Sequence, residues 1–262
     1  MISLLFNKLF KGTILVLAIA ILAFVGRIVH HYMMESPLLS LGDVIIEGCQ
    51  ELSRSDILSL TQLEGKPNIL SIELAELRRK VETNPWVERA EIKRIFPHRI
   101  WIKITERTPA AIILLERLYY IDAGGEIFAR VPQDHRIKHP ILTGLHRDDF
   151  KARPDETWRL VSNALRLINI ARKGEVLSLE DISEIRMDTT LGISVYTCEG
   201  AIEVKFGLDH YGEKWKRLER VWKYLRRNPH KPAYIDCNYD KRVIVKMRES
   251  QAFHRKRSIQ SS

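Results

Sequence analysis

The segment from Gly42 to Arg107 carries strand and helix signals in an order that limits the fold more than any other feature of the chain. A β-type run at Val44–Gly48 precedes two helix starts. Two more β-type runs follow, separated by Pro97-His98, and the second alternates isoleucine with polar or aromatic residues. The order is therefore β-α-α-β-β, which we interpret as a small scaffolding and docking fold rather than a catalytic one.

Both helices of this segment have a recognisable start. Ser53 and Asp56 are spaced for a reciprocal cap, in which each side chain satisfies a free backbone N–H of the first turn. The second helix is expected to open at Ser71 and to carry its apolar residues on one face. Asn84-Pro85 ends it, because proline disfavours the helical conformation in the residue before it.

Short motifs occur throughout this segment. Their residues include Gly65, Asn84, Pro85, Trp86, Phe96, Pro97, Glu106 and Arg107. This set resembles the POTRA domain of the bacterial cell-division family FtsQ, also called DivIB. The run from Tyr120 to Phe128 is similar to the segment that follows that domain in the family. The resemblance spans nearly the whole chain and implies a non-catalytic role in bacterial cell division.

The N-terminal apolar run has the length of a membrane anchor if it extends past Arg27. It is uninterrupted from Gly12 to Gly26 and resumes with Ile28 and Val29 and then with Tyr32 to Met34. Length alone fits either a spanning helix or a signal peptide. The lack of a small-x-small cleavage site after the run favours an uncleaved anchor, and Lys8 and Lys11 before it predict a cytoplasmic N-terminus. We therefore expect a single-pass inner-membrane protein whose remaining chain is periplasmic. The resemblance to FtsQ implies that it is located at the division septum.

The chain has a formal net charge of +9 at pH 7. In a cytosolic protein this charge would indicate nucleic acid as a partner, but none is expected outside the membrane. An anionic bilayer surface or an acidic partner segment would fit the charge, and so would an ordinary solvated surface.

After Pro109 the pattern predicts a mixed sheet with flanking helices. The predicted β-type runs are 118–121, 126–131, 181–187, 192–198 and 201–206, and residues 140–144 are predicted to form a short connection or a strand. An amphipathic helix from about Asp155 to Lys173 is expected to place Trp158 on its apolar face with Val161, Leu165 and Ile168.

The last long helix, from about Asp209 to Arg227, has two distinct faces. Its apolar stripe comprises Trp215, Leu218, Trp222 and Leu225, and nearly opposite lie Lys216, Arg220, Lys223 and Arg227. The basic residues are interpreted as a solvated face, with a docking face for an acidic partner as the alternative.

Two β-type runs, Tyr234–Tyr239 and Val243–Met247, come near the C-terminus. A chain that ends in a strand often leaves it at a sheet edge, where it can accept a strand from a partner. The resemblance to FtsQ implies that this strand receives a segment of FtsB, in complex with FtsL. The residues expected to contact the partner are Tyr239, Lys241, Arg242, Val243, Val245 and Met247.

The sequence departs from the family pattern near this strand. Asn238 stands where an arginine usually precedes the tyrosine, and Arg242 stands where a glycine usually follows it. Leu208 replaces an arginine that often follows Gly207. These departures bear on the partner contacts rather than on the fold.

The overall prediction is an α+β protein with a single N-terminal transmembrane helix, a POTRA domain of order β-α-α-β-β, and a mixed β-sheet domain with flanking helices. The predicted parts are a cytoplasmic N-terminus (1–11), a transmembrane anchor (12–34), a linker (35–40), the POTRA domain (41–109), the C-terminal β-domain (110–248) and a disordered basic tail (249–262).

Cys49, Cys198 and Cys237 show no metal-ligand spacing. A bridge between Cys198 and Cys237 is conceivable if their strands are neighbours, and three unpaired, largely buried thiols are the alternative.

The sequence lacks a nucleophile elbow, a zinc-protease motif, a Walker loop and a dinucleotide fingerprint. His30-His31 is interpreted as interfacial, and the acidic cluster of Glu180, Asp181 and Glu184 as solvated. No catalytic residue, metal or cofactor is expected. Two other classes stay open: a POTRA-type chaperone or transport component, and an anchored envelope hydrolase.

Overall fold

The computed structural model describes residues 2–63, 65–134, 136–174, 177–227 and 231–248, with only the backbone described for residues 2–11. The predicted tail, 249–262, lies outside the described residues. Contacts divide the chain into two units, Met1–Arg107 and Thr108–Ser262. Thr108 and Pro109, which the sequence assigns to the POTRA domain, therefore belong to the second unit.

The N-terminal helix α1 spans Ile2–Glu35. Its part from Gly12 to Glu35, which has 24 residues, is the one described helix long and apolar enough to cross a membrane. At 1.5 Å per residue this part is about 36 Å long, more than the roughly 30 Å hydrocarbon core of a bilayer. None of its side chains is buried by the rest of the protein.

The first unit has a three-stranded sheet covered by two helices. Its elements are β1 (Asp43–Glu47), α2 (Arg54–Thr61), α3 (Leu74–Glu82), β2 (Val87–Ile95) and β3 (Arg99–Glu106). The strand order is β1-β3-β2, with β1 parallel and β2 antiparallel to β3. The predicted order β-α-α-β-β is confirmed. Ile100, Ile102 and Ile104 of β3 point into the core, as the alternation of this strand predicts.

The two helix starts have different outcomes. Ser53 and Asp56 form the predicted capping box at the start of α2. The prediction that the second helix opens at Ser71 was wrong, because α3 begins at Leu74. The Ser71 hydroxyl donates instead to the carbonyl of Asn68, at 2.7 Å, so it closes a turn and does not cap the helix.

The second unit is built on a nine-stranded mixed sheet, with strand order β12-β11-β10-β9-β8-β7-β4-β5-β6. In chain order its elements are β4 (Pro109–Leu115), β5 (Arg117–Asp122), β6 (Ile127–Arg130), β7 (Ile141–Thr143), α4 (Asp149–Ala152), α5 (Pro154–Arg172), β8 (Ile182–Asp188), β9 (Gly192–Thr197), β10 (Glu203–Gly207), α6 (Tyr211–Leu225), β11 (Pro232–Asp236) and β12 (Ile244–Met247). Helices α5 and α6 contribute to a common apolar core with the sheet. The α+β class is confirmed.

Strand β4 is the main element that the sequence did not predict. It lies inside the sheet, between β7 and β5, and most of its side chains are buried. A strand buried on both faces has a continuous apolar run rather than an alternation, so the period-two signal is missing.

Helix α5 matches its predicted span but not its predicted face. Val161, Leu165 and Ile168 are buried, whereas Trp158 is 41% exposed and stacks edge-on against Phe150. Thr157 takes the inward position at this turn, which leaves Trp158 at the border of the buried face. The apolar stripe predicted for α6 is confirmed, since all four of its residues are buried.

The three cysteines are free. The conceivable bridge from Cys198 to Cys237 does not form, because Cys198 follows β9, Cys237 follows β11, and β10 lies between these strands. Two strand spacings amount to about 9.6 Å, beyond the Cα separation that a disulfide spans. The alternative of largely buried thiols was also wrong for Cys198, which is exposed.

Candidate functional site

Strand β12 lies at one edge of the nine-stranded sheet. It pairs antiparallel with β11, and no other described strand pairs with it. The side of β12 away from β11 therefore offers main-chain N–H and C=O groups to an added strand.

The register identifies the groups on this open side. The N–H of Arg248 donates to the carbonyl of Lys231, at 3.3 Å, and so faces β11. Main-chain groups along a strand alternate between its two sides, so those of Ile244 and Lys246 also face β11. Those of Val245 and Met247 face the open side.

A contact on the other side of β11 supports the same assignment. The N–H of Cys237 donates to Lys205 of β10, at 2.9 Å. The neighbouring residue Asp236 therefore turns its main-chain groups towards β12, where it pairs with Ile244.

The apolar side chains of this strand have a double role. Val243, Val245 and Met247 are partly buried against the core of the unit, while Lys246 is exposed. A partner at the edge would cover the rest of the apolar surface, but these side chains also hold β12 on the sheet. Alanine substitutions here would therefore affect stability as well as binding.

In the loop before β12, the guanidinium of Arg242 lies over the aromatic ring of Tyr239. Tyr239 is 41% exposed, and the Arg242 guanidinium carbon lies 5.0 Å from the centre of its ring. This is a cation–π distance. Arg242 therefore covers part of the ring that a partner would contact, and Lys241 beside it is exposed.

Helix α6 holds this loop through two basic side chains that sequence reasoning missed. Lys214 is 3% exposed, and its ammonium donates to the Phe206 carbonyl (2.8 Å), to Asp209 (2.9 Å) and to the Asn238 side chain (3.1 Å). Arg217 donates to the carbonyl of Tyr239, at 3.2 Å. A sequence signal was present, because position 214 falls on the apolar stripe, between Tyr211 and Leu218.

The pKa values of the ionisable groups around Lys214 are shifted by its hydrogen bond or by burial. Its hydrogen bond lowers the pKa of Asp209 below the usual 3.8. Burial raises the pKa of the Tyr211 hydroxyl and of the Cys237 thiol to about 12 each. Both groups therefore stay neutral at physiological pH.

Asn238, one of the departures from the family pattern, has a structural role at this point. Gly207 has φ +72°, and a β-carbon there would overlap the side-chain oxygen of Asn238. The glycine thus makes room for the amide that accepts from Lys214. Leu208, another departure, is 51% exposed.

Comparison with known proteins assigns both units. Residues 39–107 match the model of the FtsQ-type POTRA domain, and residues 111–238 match the model of the C-terminal part of cell division protein FtsQ/DivIB. The chain belongs to the FtsQ/DivIB family.

Individual FtsQ proteins support this assignment over most of their length. The protein called cell division protein FtsQ in Syntrophotalea carbinolica is 31% identical over 88% of this chain and 80% of its own. The cell division protein FtsQ of a Geobacter strain is 32% identical over 86% of this chain and 82% of its own. The long apolar part of α1 and the similarity to these relatives together indicate a membrane-anchored member of the FtsQ family.

The match to the FtsQ C-terminal model ends at Asn238, immediately before the candidate site. Tyr239 and β12 therefore lie beyond the matched region, and the docking role assigned to them stays a prediction.

The motif residues of the FtsQ-type POTRA domain have structural roles. The Glu106 carboxylate accepts from the N–H groups of residues 50, 51 and 52, at 3.0, 2.9 and 2.9 Å. The Asn84 side chain accepts from the Trp86 N–H at 3.0 Å, and the Arg107 N–H donates to the Trp86 carbonyl at 2.8 Å.

Three further motif residues occupy loops of the same unit. Gly65 has φ +77°, a conformation that favours glycine. Phe96-Pro97 is a cis peptide in the hairpin between β2 and β3, and Phe96 is 60% exposed.

The acidic cluster considered from the sequence also has structural partners. Asp181 accepts from the N–H and hydroxyl of Ser178, and Glu184 accepts from the Thr143 hydroxyl at 2.6 Å. Within the described part of the chain, no group of histidine, cysteine and acidic side chains is placed to hold a metal ion.

Proposed function

We propose that this FtsQ-family protein is a non-catalytic scaffold of the division machinery that recruits and links other division proteins at the septum. The observation that carries the proposal is the open side of β12, where the main-chain groups of Val245 and Met247 are available for strand addition.

The proposed topology has the N-terminus in the cytoplasm and both folded units in the periplasm. Lys8 and Lys11 before the apolar part of α1 support this orientation. Anchoring confines the protein to the membrane surface, which raises its effective concentration for other anchored proteins.

The proposed partner at β12 is an anchored complex resembling FtsB with FtsL. Main-chain bonds to residues 245 and 247 would supply affinity. Lys241, Arg242 and Lys246 would favour a segment carrying carboxylates, because complementary charge improves both the association rate and the choice of partner.

The POTRA unit is proposed to bind other division proteins through a second open edge. Both β1 and β2 are edge strands of its sheet in the described structure. The short length of β1, five residues, limits how much strand it could add, so β2 with nine residues is the stronger candidate.

The test uses the full-length chain in nanodiscs, mixed with detergent extract of the source membranes. We expect recovery of small anchored coiled-coil proteins, and we expect the variants V243P, V245P and Y239A to reduce it. V245P removes an N–H on the open side, whereas the matched variant K246P removes one that faces β11.

The matched pair separates binding from folding. V245P should lower recovery more than V245A, which loses the same packing against the core but keeps the N–H, and K246P should lower the unfolding midpoint more than V245P does. Undiminished recovery by V243P, V245P and Y239A would refute strand addition at β12. Recovery of outer-membrane proteins or unfolded secreted chains would indicate a chaperone, and release of peptidoglycan fragments would indicate a hydrolase.

A further inference from the structure

The C-terminal end of α1 is held by a side chain of the POTRA fold. The Asn68 amide nitrogen donates to the carbonyls of Met33 and Met34, at 2.8 Å each. These carbonyls belong to the last turn of α1, where main-chain acceptors have no partner within the helix. The Asn68 oxygen accepts from the Leu70 N–H at 2.8 Å, so both ends of the amide are used.

The chain between the helix and the first strand is also fixed. Ser40 and Asn68 form an antiparallel bridge, which is flanked by bonds from the Leu41 N–H to Pro67 (2.9 Å) and from the Ile69 N–H to Leu39 (2.7 Å). Ile69 is fully buried in the POTRA core. Residues 35–40, predicted as a linker, therefore connect the anchor to the domain without a free segment.

We propose that Asn68 locks the POTRA domain to the anchor helix and so holds Lys66 and Leu38 against the outer leaflet of the membrane. In this arrangement Lys66 contacts phospholipid phosphates and Leu38 lies in the membrane interface. Lys66 precedes Asn68 by two residues, and its carbonyl accepts from the Ser40 hydroxyl at 2.9 Å. Leu38 lies in the turn between the helix end and Ser40.

The height of this contact above the hydrocarbon follows from helix geometry. His30-His31 interrupts the apolar run after Val29, and Met33 lies four residues beyond Val29, about 6 Å along the axis. The headgroup layer of one leaflet is about 5–8 Å thick. Asn68 therefore sits at headgroup level, together with Tyr32, a residue type that is enriched at membrane interfaces.

The exposure of the two contact residues fits a lipid partner. Leu38 is 77% exposed, in the short turn that follows the C-terminal end of α1. Lys66 is exposed and makes no ion pair with any residue that the structure describes. An exposed apolar side chain and an exposed cation near the same end of α1 are the combination that a phospholipid interface accommodates.

The test for the lock uses the full-length chain in nanodiscs. Spin labels are introduced by H30C on α1 and E91C on β2, with the three native cysteines replaced by alanine. The distance between the labels is measured by pulsed electron resonance. We expect a single narrow distribution in the parent and a several-fold broader one in N68D, which keeps the acceptor for Leu70 but loses both donors.

Two variants control the measurement. N68A removes the same donors without adding a charge and should broaden the distribution as N68D does. S71A removes the hydroxyl bond to the Asn68 carbonyl but leaves the amide intact, so its distribution should stay narrow. A broad distribution in the parent, or narrow distributions in both Asn68 variants, would overturn the lock.

The lipid contact is tested by a fluorophore at position 38 and by lipids that carry a quencher on the headgroup. We expect strong quenching in nanodiscs containing phosphatidylglycerol, and weaker quenching in K66Q. Absence of quenching in the parent would overturn the lipid contact, and equal quenching in K66Q would overturn the role of Lys66. Neither readout involves a division protein, so failure here is distinct from failure of strand addition at β12.

Discussion

Replacing Lys214 with methionine tests how α6 supports the candidate docking strand. Methionine keeps most of the aliphatic volume of the lysine but removes its three hydrogen bonds. The Phe206 carbonyl, which belongs to a fully buried residue of β10, then loses this donor. An acceptor left unsatisfied in a core costs about 1–3 kcal/mol.

The other two acceptors of Lys214 contribute less to the loss. Asp209 and Asn238 are exposed, so water replaces the ammonium at both. Burying the ammonium itself carries a desolvation cost that the methionine variant avoids, which offsets part of the penalty. We therefore expect K214M to lower the free energy of unfolding by about 1–3 kcal/mol, most of it from the Phe206 carbonyl.

The assay is urea unfolding of the full-length chain in detergent, followed by tryptophan fluorescence, to which Trp215, buried on the same helix, contributes. A K216M variant, at an exposed position of α6, is the matched control and should leave the midpoint unchanged. Equal midpoints for K214M and K216M would refute the reasoning.

The effect of K214M should also depend on pH in a defined direction. The Lys214 bond lowers the pKa of Asp209 in the folded state below its ordinary 3.8. A lowered carboxylate pKa stabilises the folded state above the unfolded pKa, and this contribution is lost as the pH falls through the folded pKa. The difference between the parent and K214M should therefore be largest near neutral pH and shrink below about pH 4.

Two further predictions concern the POTRA fold and the thiols. E106A should lower the free energy of unfolding of the first unit by about 1–3 kcal/mol, because the partly buried Leu52 N–H loses a charged acceptor, while water replaces the carboxylate at the exposed N–H groups of residues 50 and 51. E106Q should cost less, and equal urea midpoints for the parent and E106A would contradict this role. The exposed Cys198 thiol should react with a thiol reagent at pH 8 in the folded protein. The Cys237 thiol, which is buried and has a pKa of about 12, should react only after unfolding. Rapid labelling of Cys237 in the native state would show that β11 opens.

Local signals in the sequence predicted much of the secondary structure. The Ser53 capping box, the alternation of β3 and the apolar stripe of α6 all depend on residues within a few positions of one another. Backbone sterics and side-chain periodicity act over that range, so a single sequence is enough to read them. The membrane anchor belongs to the same class, because its length and apolar character are local properties.

The failed predictions arise where one local pattern is compatible with more than one structure. Strand β4 was missed because neighbours on both sides bury it, and Ser71 was misassigned because Asn68 uses its hydroxyl. Trp158 was placed inside because periodicity does not distinguish the centre of a buried face from its border.

The candidate site itself depended on the tertiary structure. The sequence pointed to the last strand, but its position at the sheet edge and the outward direction of the Val245 main chain follow from pairing with β11. Lys214 and Asn68 are ordinary polar residues in the sequence, and their roles exist because folding brings them to carbonyls 8 and 34–35 residues away. The sequence by itself determined most of the elements and the anchor, because these depend on neighbours along the chain. Tertiary structure decided which main-chain groups of β12 face away from the sheet and which polar side chains bind main-chain carbonyls elsewhere in the fold, because both depend on long-range contacts.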